Sequence, residues 1–297
     1  MARIEQITSL ANPKIKGIAA LALKKERTET GLFVVEGLQL VGFGVEAGWE
    51  LVTLVMGKGT KEPRNRGTED LLARLYDAAG LVLEVTQEIL ERLVRKDNPQ
   101  GVVGVFRQTT MGLHEFGARL ALPSRKLAGR DGEALTSPTA NKDLRGDVAV
   151  VLEGVRDPGN LGTIIRTVDA VGAKGVILVG PCTDVWAPEV LRATMGSIFH
   201  VPVVPVTLEA FLDWQRSSGT AMVGTHLRGD VDYRDVAAKV AGKPLLLAMG
   251  TEQSGLTEEL ADACDVLTKI AMRGGAESLN LAIATAVMVY EVFRGRA

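Results

Sequence analysis

Short, largely apolar runs alternate with stretches of helical periodicity along most of the chain, and no other feature of the sequence limits its fold as strongly. Runs at 51–55, 81–85, 148–152 and 245–249 each have the length of a buried strand, and residues with helical spacing stand between them. Strands that alternate with helices predict an α/β fold. Because the runs of the second half are almost continuously apolar, we expect them to form a parallel sheet covered on both faces.

The alternation occurs twice, with a stretch of different composition between. At roughly 150 residues per domain, 297 residues predict two domains. The first, 1–107, begins with a helix at Asn12, an N-cap residue followed by proline. Residues 108–147 offer little continuous apolar surface and are interpreted as a linker, mobile in part. The second domain, 148–297, ends in a helix over 279–293 that is apolar almost all round, which predicts burial against the sheet or in a subunit interface.

Composition excludes several classes of protein. With 46% hydrophobic and 24% charged residues, the chain is an ordinary globular protein and not a disordered, collagen-like or coiled-coil one. The mean hydropathy is +0.14, but the longest apolar runs, such as 201–206, are too short to span a bilayer. No charged segment followed by an apolar one opens the chain, so we expect a cytoplasmic protein without membrane contact.

Metal and disulfide chemistry are not indicated. Cys182 and Cys264 cannot build a disulfide framework and lack the paired spacing of a zinc site. His114, His200 and His226 are scattered along the chain without a carboxylate cluster nearby. We therefore expect two inert thiols and no metal centre.

Charge is spread unevenly along the chain. The net charge of -2 argues against a protein that holds nucleic acid by bulk charge. Residues 1–29 nevertheless carry six Lys/Arg against three Asp/Glu, whereas 148–297 carry 13 against 17. Any contact with a polyanion is therefore expected to be local, although a basic helix face that meets only solvent is the commoner case. The candidates are the basic residues of the N-terminal helical segment, Lys14, Lys16, Lys24 and Lys25.

Three glycine-containing loops, at 153–166, 249–256 and 270–280, each follow a predicted strand. Glycines let the main chain approach a ligand closely, which suits a nucleoside-containing cofactor. Taken singly, each loop could equally be a capped turn, with Ser278 as an N-cap and Asn280 in the first helical turn. The polar and charged side chains of the loops are Asn160, Arg166, Glu252, Ser278 and Asn280.

A dinucleotide-binding fold is the main competitor among enzymes. The glycines at 42 and 44 lie in a helical pattern, and those at 159 and 162 lack the G-x-G-x-x-G spacing. An NAD-dependent oxidoreductase is therefore only weakly supported.

Together with a segment at 190–202, the three loops resemble the signature motifs of the SpoU-type (TrmH-like) ribose 2′-O-methyltransferases of the SPOUT superfamily. The match covers roughly 148–294 in residue type, order and spacing. Two positions depart from the usual pattern, with Ala271 where relatives have proline and Thr194 where they have serine. Because threonine keeps the hydroxyl and Ala271 only removes a backbone constraint, we expect the chemistry to be retained. The stretches Asn12-Pro-Lys-Ile-Lys16 and Phe33-Val-Val-Glu-Gly37 also resemble the substrate-binding extension of rRNA-directed members.

This resemblance implies several properties that composition and spacing do not. It implies a C-terminal α/β domain with a deep trefoil knot, preceded by a small α/β RNA-binding domain. It also implies S-adenosyl-L-methionine as cofactor and an obligate homodimer through the C-terminal domain. The implied activity is methyl transfer to a ribose 2′-hydroxyl of structured RNA, above all 23S ribosomal RNA. The alternatives are a tRNA ribose methyltransferase and a non-catalytic RNA-binding factor with the same fold.

The resemblance also assigns roles to residues. Arg166 is expected at the reacting hydroxyl, as a base or as an electrostatic stabiliser, with Asn160 and Glu252 positioning it and the ribose. Ser278 and Asn280 would line the junction of RNA and cofactor, and Arg192 would contact a phosphate. The residues expected to hold the cofactor, largely through backbone groups, are Thr225, His226, Met249, Gly250, Ile270, Met272 and Leu279.

Overall fold

The structure is a computed structural model that describes residues 3–58, 66–94, 101–121, 147–251, 254–276 and 278–296. The chain divides into two compact units. The first joins Met1–Thr109 with Asp184–His200, and the second joins Thr110–Thr183 with Val201–Ala297. The division at 107 and 148 stays a prediction, and the compact units differ from it in the placement of the segment 184–200.

The first unit is built around one mixed sheet. Within the described residues the strand order is β1-β4-β3-β5-β2, with β5 antiparallel to both of its neighbours and the other pairs parallel. Its elements up to residue 109 are β1 (Arg3–Ile7), α1 (Pro13–Ala20), α2 (Lys24–Thr30), β2 (Leu32–Glu36), α3 (Leu38–Glu46), β3 (Leu51–Gly57), α4 (Arg66–Ala78), β4 (Leu81–Val85), α5 (Gln87–Val94) and β5 (Val102–Arg107).

The basic N-terminal segment forms two helices where the sequence analysis expected one. α1 begins as predicted, because the Asn12 side chain accepts a hydrogen bond from the Lys14 N–H at 2.9 Å and proline follows the cap. It ends at Ala20 with the buried Leu21 as its C-cap, and the backbone is extended at Leu23 before α2 begins. α2 ends at Gly31, whose φ of 66° is a left-handed conformation that glycine adopts readily.

The second unit is built around a parallel sheet, as predicted. Every neighbouring pair of its described strands is parallel, in the order β10-β12-β9-β11-β6-β7-β8. Its elements are α6 (Leu113–Ala121), β6 (Val148–Glu153), α7 (Pro158–Val171), β7 (Val176–Val179), β8 (Val203–Val206), α9 (Leu208–Ser218), β9 (Ala221–Thr225), β10 (Val231–Asp232), α10 (Val236–Lys239), β11 (Leu245–Met249), α11 (Glu258–Asp262), β12 (Val266–Lys269) and α12 (Leu281–Gly295). Between β7 and β8 the chain forms α8 (Pro188–Thr194), which belongs to the first unit.

The strands β6, β7 and β11 are buried at every residue, which explains why their sequences are apolar without alternation. The final helix is less uniformly buried than predicted. Leu281, Met288 and Val292 are buried, whereas Ile283 and Tyr290 are 57% and 53% exposed. α12 therefore has one apolar stripe that the second unit leaves uncovered. No helix in the described part of the chain combines the length and apolar character needed to cross a membrane.

The helix α6 lies in the segment interpreted as a linker, so the sequence pattern did not predict it. Phe116 and Leu120 are fully buried in the core of the second unit, together with Phe211 and Trp214 of α9. The spacing of Leu113, Phe116 and Leu120 is helical, but it is interrupted by glycine and basic residues. The rest of that segment, 122–146, lies outside the described residues.

We expect Phe116→Ala to lower the free energy of unfolding by about 3–5 kcal/mol, because it removes a fully buried aromatic side chain and leaves a cavity. His114→Ala, on the exposed face of the same helix, should change it by less than about 0.5 kcal/mol. Urea unfolding followed by circular dichroism measures both. Equal and small effects of the two substitutions would show that α6 is not part of the core.

Candidate functional site

The carboxyl ends of four neighbouring strands form one edge of the second sheet. β12, β9, β11 and β6 are adjacent and parallel, so the loops that follow them leave from the same side. Thr225 ends β9 and His226 follows it, Met249 ends β11 and Gly250 follows it, and Ile270 follows β12. The structure thus brings the predicted loops together.

A hydrogen bond between two asparagines joins the first loop to the third. Asn280 is the N-cap of α12, since its Oδ1 accepts from the Ala282 and Ile283 N–H groups at 3.0 and 3.3 Å. Its Nδ2 donates to Asn160 Oδ1 at 2.8 Å. Because Oδ1 is held by the cap, Nδ2 must face Asn160. Asn160 stands in the first turn of α7, where its N–H donates to Asp157 Oδ1 at 2.6 Å.

The N-termini of two long helices therefore meet at this point. Each end carries a partial positive charge, so the meeting point favours an anion. Ser278 is exposed and precedes the cap by two residues, so the alternative in which Ser278 is the N-cap is wrong.

Arg166 is exposed on α7, while Ile164 and Ile165 beside it face the core. It lies six residues beyond Asn160, or about 9 Å along the helix axis. Asn160 and Arg166 therefore belong to the same helix, about 120° apart around its axis.

The loop after β11 doubles back on itself. Thr251 and Gly255 exchange two backbone hydrogen bonds of 3.1 and 2.9 Å. A Cβ at position 250 would lie 1.9 Å from the carbonyl carbon of Gly255, so only glycine fits there. Glu252, predicted as a functional residue, lies outside the described residues.

Glu153 was not among the predicted functional residues. It is buried at the end of β6, where its two carboxylate oxygens accept from the Thr257 N–H at 2.8 Å and the Thr257 hydroxyl at 2.7 Å. Thr257 in turn caps α11 by accepting from the Leu260 N–H. One carboxylate thus ties the loop after β11 to the adjacent strand. A charged residue at the end of an otherwise apolar strand is the signal that could have found it.

The two cysteines lie close to this carboxylate. Burial raises the pKa of the Cys264 thiol to about 12, with the charges of Asp265 and Glu153 adding to the effect. Burial also raises the pKa of Cys182. Both thiols therefore stay protonated near neutral pH, in agreement with their interpretation as inert. Within the described residues no three His, Cys, Asp or Glu side chains are grouped as metal ligands would be.

The residues predicted to hold a cofactor differ in which of their polar groups already have hydrogen-bond partners. The Thr225 hydroxyl donates to the sulfur of Met249 at 3.5 Å, which links two of the strand ends. Both backbone groups of His226 have partners, since its N–H donates to the Thr268 carbonyl of β12 and its carbonyl accepts from the Gly229 N–H of its own turn, both at 2.9 Å. The remaining candidates are apolar side chains at the same edge that are half-buried or exposed, Ile270, Met272 and Leu279.

The predicted RNA contacts all lie in the first unit, whereas the predicted catalytic and cofactor residues lie in the second. The lysines of α1 and α2, Lys14, Lys16, Lys24 and Lys25, are exposed. Lys14 contacts Glu5, which lowers the pKa of that carboxyl through a hydrogen bond. Arg192 on α8 is 44% exposed and lies 3.6 Å from Glu189.

Both parts of the chain match described families. Residues 147–290 match the SpoU rRNA Methylase family, and residues 12–104 match the MRM3-like substrate binding domain. The first match covers every strand of the second sheet, and the second covers β2, β3 and β4 of the first sheet with part of β5.

Relatives with known names match this chain over most of its length. The 23S rRNA (guanosine(2553)-2′-O)-methyltransferase RlmP of Bacillus subtilis is 29% identical, over 97% of this chain and 99% of its own. The 23S rRNA (uridine(2479)-2′-O)-methyltransferase of Streptomyces viridochromogenes is 31% identical, over 94% of this chain and 88% of its own. The chain in the crystal structure of an AdoMet-bound rRNA methyltransferase from Sinorhizobium meliloti is 41% identical in sequence to this chain. The two structures have a TM-score of 0.79, and the match covers 98% of each chain.

Proposed function

Since the chain belongs to the SpoU rRNA methylase family, we propose that it transfers the methyl group of S-adenosylmethionine to a ribose 2′-hydroxyl of large-subunit ribosomal RNA. The relatives compared above support the donor, the acceptor atom and the class of RNA. The observation that carries the proposal is the hydrogen bond from Asn280 to Asn160, because it unites two of the motif loops in one site.

The relatives act on different nucleotides, a guanosine and a uridine, so the proposal specifies the ribose and not the base. A tRNA substrate is disfavoured, because two whole-chain relatives are named for 23S rRNA and the first unit matches a substrate-binding domain. A non-catalytic factor would not need Asn160, Arg166 and Asn280 in the arrangement described.

The edge of the second sheet fits S-adenosylmethionine. Gly250 lets the loop after β11 close on its own backbone at Gly255, which fixes the main chain beside the strand ends. Thr225 and Met249 contact each other at two adjacent strand ends, and backbone groups of the loops beside them would offer hydrogen bonds to an adenosyl group. We assign the apolar contacts to Ile270, Met272 and Leu279, and to His226 the closing of its turn. When bound, the cofactor supplies an electrophilic methyl group on a sulfonium sulfur.

The reaction forms a bond between the ribose oxygen and the methyl carbon while the carbon–sulfur bond breaks, and the hydroxyl proton passes to a phosphate or water. Negative charge develops on the ribose oxygen. The paired N-termini of α7 and α12 favour negative charge at the point where Asn160 and Asn280 meet. Arg166, on the same helix as Asn160, would add a positive charge. A guanidinium does not give up its proton in proteins, so we assign Arg166 to stabilising the oxyanion or an adjacent phosphate and not to the role of base. Glu252 would position Arg166, and Ser278 would line the junction of RNA and cofactor.

We further propose a homodimer formed through the second unit, with the knot that the family resemblance implies and a cytoplasmic location where ribosomal RNA is methylated. Ile283 and Tyr290, seven residues apart, lie on the same face of α12 and are more than half exposed. An apolar stripe on an otherwise buried helix supports a partner surface there. In such a dimer Arg166 could serve the site of the partner.

We expect the purified chain to move tritium from methyl-labelled S-adenosylmethionine into ribosomal RNA taken from cells that lack the gene. After alkaline hydrolysis the label should remain in dinucleotides, because a 2′-O-methyl group removes the hydroxyl that attacks the neighbouring phosphate. Once the target is mapped, 2′-deoxyribose at that nucleotide should abolish incorporation. Label in alkali-released mononucleotides would instead indicate base methylation and contradict the proposal.

Arg166→Ala tests the role assigned to Arg166. It should keep the affinity for S-adenosylmethionine within about twofold, by calorimetry, and lower the rate of transfer by about 10²–10³. Full activity of this variant would overturn the role of Arg166. Failure of the unsubstituted chain to bind the cofactor would overturn the enzyme assignment itself.

The dimer has its own test. Sedimentation equilibrium of the whole chain should give twice 31.6 kDa. Joint replacement of Ile283 and Tyr290 by Glu should give the monomer mass, whereas Tyr290→Phe, which keeps the apolar area, should not. A monomer mass for the unsubstituted chain would contradict this proposal.

A further inference from the structure

The segment Asp184–His200 follows a strand of the second sheet in the chain but belongs to the first unit. It contains α8 and Arg192, the predicted phosphate contact. Contacts at its start, its middle and its end hold it on the first unit.

The start of the segment is fixed by a buried ion pair. Arg27 is 4% exposed, and its Nε and Nη2 both donate to Asp184 Oδ2, at 3.0 and 2.6 Å. Its Nη1 donates to the Leu21 carbonyl at 2.8 Å, while Asp184 Oδ1 accepts from the Trp186 N–H at 3.1 Å. Every donor and acceptor of this network has a partner within the first unit. Removal of one member of such a pair leaves the other charge buried without compensation.

Aromatic rings fix both ends. The Trp186 ring lies 4.6 Å from that of Phe33, between centroids. At the other end, the Phe199 ring lies 5.3 Å from Trp49 and 5.3 Å from Phe106. The Trp49 indole N–H also donates to the Phe199 carbonyl at 3.1 Å. These distances are within the range of favourable ring pairs.

The middle of the segment is held by close packing. Gly196 has a φ of 96°, and a Cβ there would lie 2.5 Å from the Phe43 ring of α3. Met195 before it also has a left-handed backbone, with a φ of 51°, and its side chain is 58% exposed. Such a conformation persists in a non-glycine residue only where the surrounding contacts impose it. The segment thus has one defined conformation, in which α8 presents Arg192 to solvent.

We propose that Arg27 and Asp184 are positioning residues that fix the segment Asp184–His200 on the first unit, so that Arg192 is held in place for RNA. This inference rests on the proposed function, and it adds two residues that the sequence motifs do not include. Because the RNA candidates lie in the first unit and the cofactor candidates in the second, loosening the segment should weaken RNA binding and leave cofactor binding unchanged.

The test uses the full chain with Asp184→Asn, which keeps the acceptor for the Trp186 N–H and removes the charge that faces Arg27. Filter binding to protein-free large-subunit ribosomal RNA, without cofactor, should show a dissociation constant raised roughly tenfold. The dissociation constant for S-adenosylmethionine should stay within about twofold of its original value, since its candidate residues lie in the other unit. Tryptophan emission should shift to longer wavelength, because Trp186 of the segment packs against Trp49 at 5.8 Å between ring centroids and against Phe33 at 4.6 Å.

A double variant and a matched ion pair complete the design. Arg27→Met combined with Asp184→Asn should weaken RNA binding no more than either single change, because the two residues act as one unit. Asp147→Asn breaks the 3.0 Å pair with Arg296 in the second unit, and it should leave RNA binding unchanged.

Two outcomes would overturn the proposal. In one, Asp184→Asn lowers the melting temperature but binds RNA as the original chain does, which would make the pair structural only. In the other, it weakens cofactor binding as much as RNA binding. Because RNA binding is measured without methyl transfer, failure of the proposed activity would be recognised separately.

Discussion

The hydrogen bond from Asn280 to Asn160 is the contact on which the arrangement of the site depends. It joins the first turns of α7 and α12, which lie 120 residues apart in the sequence. A single neutral hydrogen bond contributes only about 1 kcal/mol to folding, so its importance is geometric. It holds the first turn of α7, the helix that carries Arg166, against the cap residue that directly follows Ser278 and Leu279.

Two further constraints act on the loop that follows β11. Glu153 holds Thr257 through both carboxylate oxygens, and Gly250 permits a turn that any side chain would block. Each constraint begins at a strand end of a sheet that is buried on both faces. The buried strands thus end where the loops begin. Polar contacts between the strand ends and the loops hold in place the residues proposed to react.

The sequence predicted much of this, because the signals are local. Apolar runs predicted most strands of both sheets, but not β1 or β10, and glycine loops after strands predicted which turns would converge. What the sequence did not predict depends on contacts between distant residues. The placement of 184–200 follows from Arg27 and three aromatic rings of the first unit. α6 was missed because the apolar spacing that buries Phe116 is interrupted by polar residues, and Glu153 because its partner lies 104 residues away.

The most direct measurement compares Asn280→Asp with Asn160→Asp in the methyl-transfer assay. Both add the same charge at the same place and both keep the oxygen that is used in the structure. Only Asn280→Asp removes the donor that joins the two helices. The account predicts that Asn280→Asp lowers the transfer rate at least tenfold more than Asn160→Asp, with little change in cofactor affinity. Equal effects of the two substitutions would mean that only the added charge matters, and they would contradict the central place given to this hydrogen bond.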